Sequence, residues 1–561
     1  MEYKEKKINI DLYKKFIHGG LHPVLSSLFS ARNIKDINEV DYQLDKLLAP
    51  ELLVSNLDAG EFLMHAINNK KNIIVVGDYD TDGATATACA VLGLRKFGAI
   101  VDFIVPNRFE FGYGLTPEIV KLAAQRCPDV IVTVDNGVAS ISGVEAANDL
   151  GIDVLITDHH LPGDQLPNAR YIVNPNQKLC TFPSKNLCGV GVMFYVLLSV
   201  RAAFRKCNTY KNKEQPILSD LLDLVALGTI ADLVNLDLNN RILIKFGLDI
   251  IKTGKCNFGI KALINLTKKQ PSNIKTSDLS FMIAPKLNAA GRLDDMTLGI
   301  QCLIADDIYS ATTLAKKLIH LNEQRKFIEN EMKETAMSSL TDYKVGNQFS
   351  IVMFDKSWHQ GVIGILASRL KEKYYRPIII FAKGENGFLK GSGRSILSYH
   401  LRDALDTLTK RYPDLIKTFG GHAMAAGLTI REENFDEFCK VFEGLTKELL
   451  NPEDLNLIIE IDKPISSEHL NYKTAKIINN EVWGMGFPFP IFLDTFDVIQ
   501  QKIIASKHSK CILRKKNNYE AIFFNYTRDL PDRITITYSI EANEFNNNQS
   551  LQLIIRNLIH D

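Results

Sequence analysis

The chain has 561 residues, 46% hydrophobic and 23% charged, with a net charge of +1. This is an ordinary globular composition, long enough for about three or four domains, and so neutral that any polyanion would have to meet a local basic groove. Nine scattered Cys with no CxxC pair exclude a zinc ribbon and a disulfide framework, and a reducing cytoplasm fits them.

The opening segment, MEYKEKKINIDLYKKF, lacks the apolar stretch of a signal peptide, and residues 1–43 carry no assignment. At Asn72 comes NIIVVGDYDTDGATATACA, with aspartates at 78, 80 and 82 before Gly83. An EF-hand loop begins this way, but it needs flanking helices and a bidentate Glu at its twelfth position. Here that position is Cys89 and the preceding NIIVV reads as a buried strand. The unit is strand, acidic turn, helix. Two more strands end in ligand-type residues. Val130 to Val134 leads to Asp135, Asn136 and Gly137, and Val154 to Ile156 leads to Asp158, His159 and His160. The intervening stretches are helical, the first with Thr116 as N-cap and Pro117 at N1. The alternation implies a parallel sheet, whose ligands bind beyond the carboxyl ends of its strands.

One aspartate after a strand is usually a turn or cap. Three such sites in consecutive units would gather Asp80, Asp82, Asp135 and His159 on one rim. Crowded carboxylates repel unless a cation neutralises them, and oxygen ligands with one imidazole favour Mn²⁺ or Mg²⁺ over zinc. Several carboxylates suit two ions and phosphodiester hydrolysis. Val190 to Val200, too short to span a bilayer, reads as a core helix. The helix from Leu221, with Ser219 as N-cap, is expected to break at Gly228 and present Asp232, either a further ligand or an exposed carboxylate.

The later chain is first largely helical. NAAGR reads as a small-residue loop in which Arg292 could hold a phosphate. Leu314, Leu318, Leu321, Ile328 and Met332 mark one stripe of a long connecting helix. From about Gly346 a second α/β unit reads as strand, loop, helix, strand. Glycine clusters beside Arg394 and His422, in GSGRS and GGHAMAAG, suit close approach to a phosphate. The last hundred or so residues alternate apolar and polar, the pattern of a small OB-type barrel. Its Lys507, Lys510, Arg514, Lys515 and Lys516 are locally basic. Tyr519, Phe523, Phe524 and Tyr526 are either stacking faces for a single strand or barrel core.

DYDTDG, VDNG, TDHH and GTIADL, in this order, resemble the four motifs of the DHH phosphoesterase superfamily. The resemblance implies that Asp80, Asp82, Asp135, His159 and Asp232 ligate two divalent ions, with Asp135 bridging and Asp78 a neighbour. It implies that His160 contacts the scissile phosphate or helps protonate the leaving group. SWHQGVIGILASRL, KGSGRS and FGGHAMAAGL are similar to the DHHA1 domain, which implies that Arg369, Ser392, Arg394, Gly420, Gly421 and His422 contact the nucleic acid. With WGMGFPFP and NEFNNNQSLQLII, the chain from about Leu44 onward resembles the bacterial single-stranded-DNA-specific exonucleases of this superfamily. Thr81 stands where that family commonly has Ala.

The fold implied is two α/β domains joined by a long helix, plus a C-terminal OB-type barrel. The expected layout is an N-terminal segment at 1–43, a DHH domain at 44–235, a helical connector at 236–345, DHHA1 at 346–452 and the OB module at 453–561. The implied function is 5′→3′ hydrolysis of single-stranded DNA to 5′-mononucleotides, with Mn²⁺ or Mg²⁺, in recombination and repair. The enzyme would be a cytoplasmic monomer with no membrane partner, and single-strand-binding protein and a helicase are candidate partners. Two alternatives stay open: a DHH phosphodiesterase of short oligonucleotides or cyclic dinucleotides, and a non-catalytic DNA-binding scaffold.

Overall fold

The computed structural model describes residues 2–106, 114–211, 213–267, 269–341, 348–545 and 548–559. The expected boundary at 345/346 lies outside the described residues, as do Asn546 and Asn547 of NEFNNNQSLQLII. Two compact units are present, Glu5–Ile319 with Glu460–Asp561, and His320–Ile459 with Met1–Lys4.

After a short strand β1 (Glu2–Glu5), the larger unit builds β2 (Asn72–Val76), β3 (Ile100–Ile104), β4 (Val130–Val134), β5 (Asp153–Thr157) and β6 (Tyr171–Val173). All pair in parallel, in the order β3-β2-β4-β5-β6. The chain adds β3 on one side of β2 and then crosses to β4 on the other. The switch point between β2 and β4 is where open α/β sheets bind ligands. Residues 73–76, 130–134 and 154–157 are fully buried, because helices cover both faces of the sheet. Thr116 caps the helix Pro117–Ala124 by accepting a hydrogen bond from the Ile119 N–H, and the Val190–Val200 run lies inside the buried helix Gly189–Lys206. Among the described residues, no helix is long and apolar enough to cross a membrane.

The region before Asp232 departs from expectation. The helix Leu222–Ala231 enters from a 3₁₀ turn, Ser219–Leu221, and no described side chain caps it. It runs through Gly228 without breaking. A Cβ there would stand 2.3 Å from Thr85 Oγ1 and 2.8 Å from Asp82 Oδ1. Glycine is needed for side-chain clearance, not for a turn.

The helix Ile308–Thr341 is 34 residues long. Beyond it the smaller unit forms β7 (Ile351–Phe354), β8 (Ile378–Lys383), β9 (Phe388–Arg394), β10 (Thr418–Gly421) and β11 (Ala425–Arg431). Their order is β10-β11-β9-β8-β7, with only β7–β8 parallel among the described pairs. Strand β12 (Ile458–Ile461) pairs with β1.

The last module is a closed barrel of β13 (Phe492–Ile504), β14 (His508–Arg514), β15 (Asn518–Phe523), β16 (Arg533–Phe545) and β17 (Asn548–Ile559). Its order, β13-β14-β15-β17-β16, has a parallel β15–β17 pair, which is the OB topology. Phe492, Phe496, Tyr519 and Tyr538 fill the interior.

The first forty residues, unassigned from sequence, pack through Arg32 against the segment that leads into this barrel. Arg32 donates to both Asp462 oxygens at 2.6 and 2.8 Å, to Leu28 O and to Pro488 O. The guanidinium also lies 5.1 Å from the Trp483 ring, and both charged side chains are 2% exposed.

Candidate metal centre

Each acidic side chain is set by its place at the carboxyl edge of the larger sheet. Asp80 ends the turn after β2 and caps the helix Thr81–Lys96, its Oδ1 accepting from Gly83 N–H at 3.0 Å. Asp82, in the first turn of that helix, accepts from Gly189 N–H at 2.6 Å and Val190 N–H at 3.0 Å. Asp135 follows β4 with a left-handed backbone, φ 61°, an uncommon state for a residue with a side chain and one that clusters at functional sites. A Cβ on Gly189 would lie 2.4 Å from Asp135 Cβ, so that glycine allows the next helix to close over Asp135. His159 follows β5, and Asp232 ends the helix Leu222–Ala231.

Asp80, Asp82, Asp135 and His159 come together at one rim, as the spacing predicts, and Asp232, which the spacing left open, joins them. His159 Nε2 lies 3.1 Å from Asp135 Oδ1, 3.6 Å from Asp232 Oδ2 and 4.0 Å from Asp82 Oδ2. Ligand atoms fall within 4.8 Å of one another in three groups: Asp78 with Asp80 and Asp135, Asp82 with His159 and Asp232, and Asp135 with His159 and His160. Asp135 joins the first group to the third. Asp78 is 6% exposed and has a place in the cluster.

The electrostatics fit a cation. Burial, then the charge of Asp80, raises the Asp82 carboxyl to about 7 against the pull of two backbone N–H groups. Burial, then Asp82 and Asp80, holds Asp135 and Asp232 well above the ordinary carboxylate value. Such carboxyls keep protons unless a cation takes their place.

Several supports were not apparent from spacing. Asp158, 1% exposed, accepts from Val138 N–H and from His160 Nδ1 at 2.7 Å. Burial lowers the His160 pKa, but the Asp158 hydrogen bond and the surrounding carboxylates prevail and lift it to about 9. The bond also fixes the orientation of the ring. Asn174 and Asn176, just past β6, donate to the backbone oxygens of His160 and His159 at 2.9 and 2.6 Å. The NPN that follows YIV was the available signal. The Thr81 N–H and hydroxyl donate to Asn288 Oδ1 at 2.8 and 2.9 Å, which gives the residue in the family's Ala position a structural role.

Asn288 corrects another expectation. NAAGR is part of the helix Ala284–Leu293, with Arg292 in its last turn, not a loop. A Cβ on Gly291 would lie 1.9 Å from Tyr79 O. The small residues let the helix press against the Asp78–Asp82 turn.

In the smaller unit, β9 and β11 pair Ser392 with Gly427 and Arg394 with Ala425, while β10 and β11 pair Gly420 with Gly427 and Gly421 with Ala426. Glycines beside Ser392 leave a low shelf on the face opposite buried Leu389 and Leu428, with His422 exposed just past β10. Arg394 donates to Ser368 Oγ, Ser392 Oγ and Gly393 O. Arg369 stands apart, 3.0 Å from Glu329 and 3.5 Å from Glu372. On the barrel, Tyr519 is 5% exposed and belongs to the core, which decides between its two readings, whereas Phe524 is 51% exposed. Lys510, Arg514 and Lys515 pair with Glu520, Asp497 and Asp494, so the basic edge is partly neutralised.

Family models match three segments: the DHH family N-terminal domain over residues 72–229, the DHHA1 domain over 346–448 and the RecJ OB domain over 461–557. The single-stranded-DNA-specific exonuclease RecJ of Salmonella typhimurium is 44% identical, over 95% of each chain. The crystal structure of RecJ in complex with Mn²⁺ from Thermus thermophilus superposes with a TM-score of 0.83 at 25% identity, covering 100% of this chain and 80% of that one. The Mg²⁺ complex from the same organism gives 0.77 at 24% identity, over 100% and 78%.

Proposed function

Because the chain belongs to the RecJ family of single-stranded-DNA-specific exonucleases, we propose that Asp80, Asp82, Asp135, His159 and Asp232 hold two divalent ions at the β2/β4 switch point. The protein is a metal-dependent exonuclease of single-stranded DNA, serving recombination and repair, and its cofactors are Mn²⁺ or Mg²⁺. The observation that carries the site is the convergence of these donors from four separate segments onto one buried rim.

When bound, the cations activate water and neutralise phosphate charge. The residues do the rest. Asp135, which belongs to two of the three donor groups, would help to hold both ions. Asp82 is oriented by the first N–H groups of the helix Gly189–Lys206. His160, steadied by Asp158, faces the phosphate or the departing oxygen. Arg394, Ser392, Gly420, Gly421 and His422 form a phosphate shelf, where missing side chains let the backbone approach the strand. Arg292 adds positive charge in the larger unit, Arg369, held by Glu329 and Glu372, is a further contact to the strand in the smaller one, and Phe524 offers the barrel a stacking face.

Degradation runs 5′→3′ and releases 5′-mononucleotides. The enzyme acts as a monomer in the cytoplasm, in keeping with nine free thiols, and receives its substrate from single-strand-binding protein and a helicase. Digesting a 3′-labelled oligonucleotide with Mn²⁺ tests this reading. Wild type should shorten the labelled strand progressively, and Asp80→Ala should not. Immediate release of labelled mononucleotide would reverse the polarity. Absence of cleavage by wild type would refute the nuclease.

A further inference from the structure

A cavity of about 390 Å³ opens between the segment that carries Asp232 and the barrel, within the larger unit. We propose that it receives a nucleobase of the substrate strand, with Phe281 as the stacking face. This rests on the exonuclease reading above.

Four observations support it. The wall nearest the chemistry is the segment that carries Asp232: Thr229, Ile230 and Leu233 all line the cavity. Ile230 and Leu233 flank Asp232 along the chain. Second, the backbone departs from regularity on two sides. Leu233 has φ 61°, which a branched side chain adopts only when its surroundings enforce it, and Leu279–Ile283 form one turn of π-helix. Both features are enriched at functional sites. Third, the lining is apolar yet open. Phe281 is 82% exposed, Leu233 57% and Met485 50%, above a buried Trp483. Leaving a phenylalanine this exposed costs stability, and a partner that covers its ring recovers it. Fourth, Lys275 and Arg556 line the same cavity against one carboxylate, Glu541, leaving net positive charge. An apolar slot with cationic neighbours fits a base whose backbone phosphates pass alongside, and the volume is within the about 300–1,000 Å³ of small-molecule sites.

Sequence reading did not find this pocket because its walls come from segments far apart in the chain, around residues 229–236, 275–281 and 483–489, together with Glu541 and Arg556 of the barrel.

The test is Phe281→Ala, a substitution at an exposed position, with Phe281→Trp as the conservative control. Binding of a fluorescent single-stranded oligonucleotide is measured in EDTA, and KM and kcat with Mn²⁺. Single abasic sites are stepped along the strand. Phe281→Ala should weaken binding and raise KM by about 10-fold or more, the usual worth of one stacked base, and Phe281→Trp should restore both. One abasic position should weaken wild type to a similar degree and leave Phe281→Ala unaffected. Unchanged affinity of Phe281→Ala, or an abasic penalty equal in both proteins, would overturn the proposal; the cavity would then serve another ligand, such as a protein segment. Wild type that fails to hydrolyse the strand would instead refute the nuclease reading.

Discussion

Lowering the pH should weaken metal binding, with a size set by the burial of the ligands. In the unfolded chain the Asp82 carboxyl titrates near 3.8, and in the folded protein burial and Asp80 raise it to about 7. Between these values the metal-free folded state binds more protons than the unfolded one, so its stability falls as pH rises. Above about 7 the full cost is present. For the fully buried Asp82 it is on the order of 4 kcal/mol, taking about 1.36 kcal/mol per tenfold change in proton affinity. Asp135 and Asp232 are raised by the same causes and add to it. At the proposed site a divalent cation would replace these protons. Its affinity should therefore fall by up to about tenfold per pH unit below 7 for each proton displaced. Calorimetric titration of Mn²⁺ into the apoprotein between pH 6 and 8, in two buffers of different ionisation heat, reads both affinity and proton release. Protons should be released on binding, fewer of them in Asp82→Asn, and Mn²⁺ should raise Tm more at pH 8 than at pH 6. An affinity flat from pH 6 to 8 with no proton release would refute the reasoning.

Gly189→Ala should lower kcat by about 100-fold while the protein stays folded, because its Cβ would stand 2.4 Å from Asp135 Cβ and displacing a reacting centre by about 1 Å costs that much; single-turnover kinetics on labelled DNA would show it. Arg32→Ala should cost about 3–5 kcal/mol, since it strands a buried Asp462, and replacing Asp462 as well should recover part of this in denaturant unfolding. Arg394→Ala should raise KM for single-stranded DNA about 10-fold or more, the worth of a charge-assisted hydrogen bond, with Mn²⁺ affinity unchanged by calorimetry.

Local chemistry carried much of the fold and most of the metal centre. Short β-branched runs that end in Asp or His, separated by capped helical stretches, dictate parallel βα units with ligands at one edge, because strand, cap and turn preferences act over a few residues. Alternation in the last module likewise dictated a barrel. What remained hidden depends on residues far apart in the chain. Thr81 and Asn288 meet across 207 positions, and Arg32 and Asp462 across 430. Gly228 looked like a helix breaker, and NAAGR like a phosphate loop, because glycine and small residues mean both flexibility and close packing until the neighbour is known. Tyr519 could face solvent or core, since a period of two shows that two faces exist but not which one closes on itself. Packing chose in each case: burying apolar surface and satisfying buried polar groups depend on which segments the tertiary fold brings together, and periodicity along the chain does not record that.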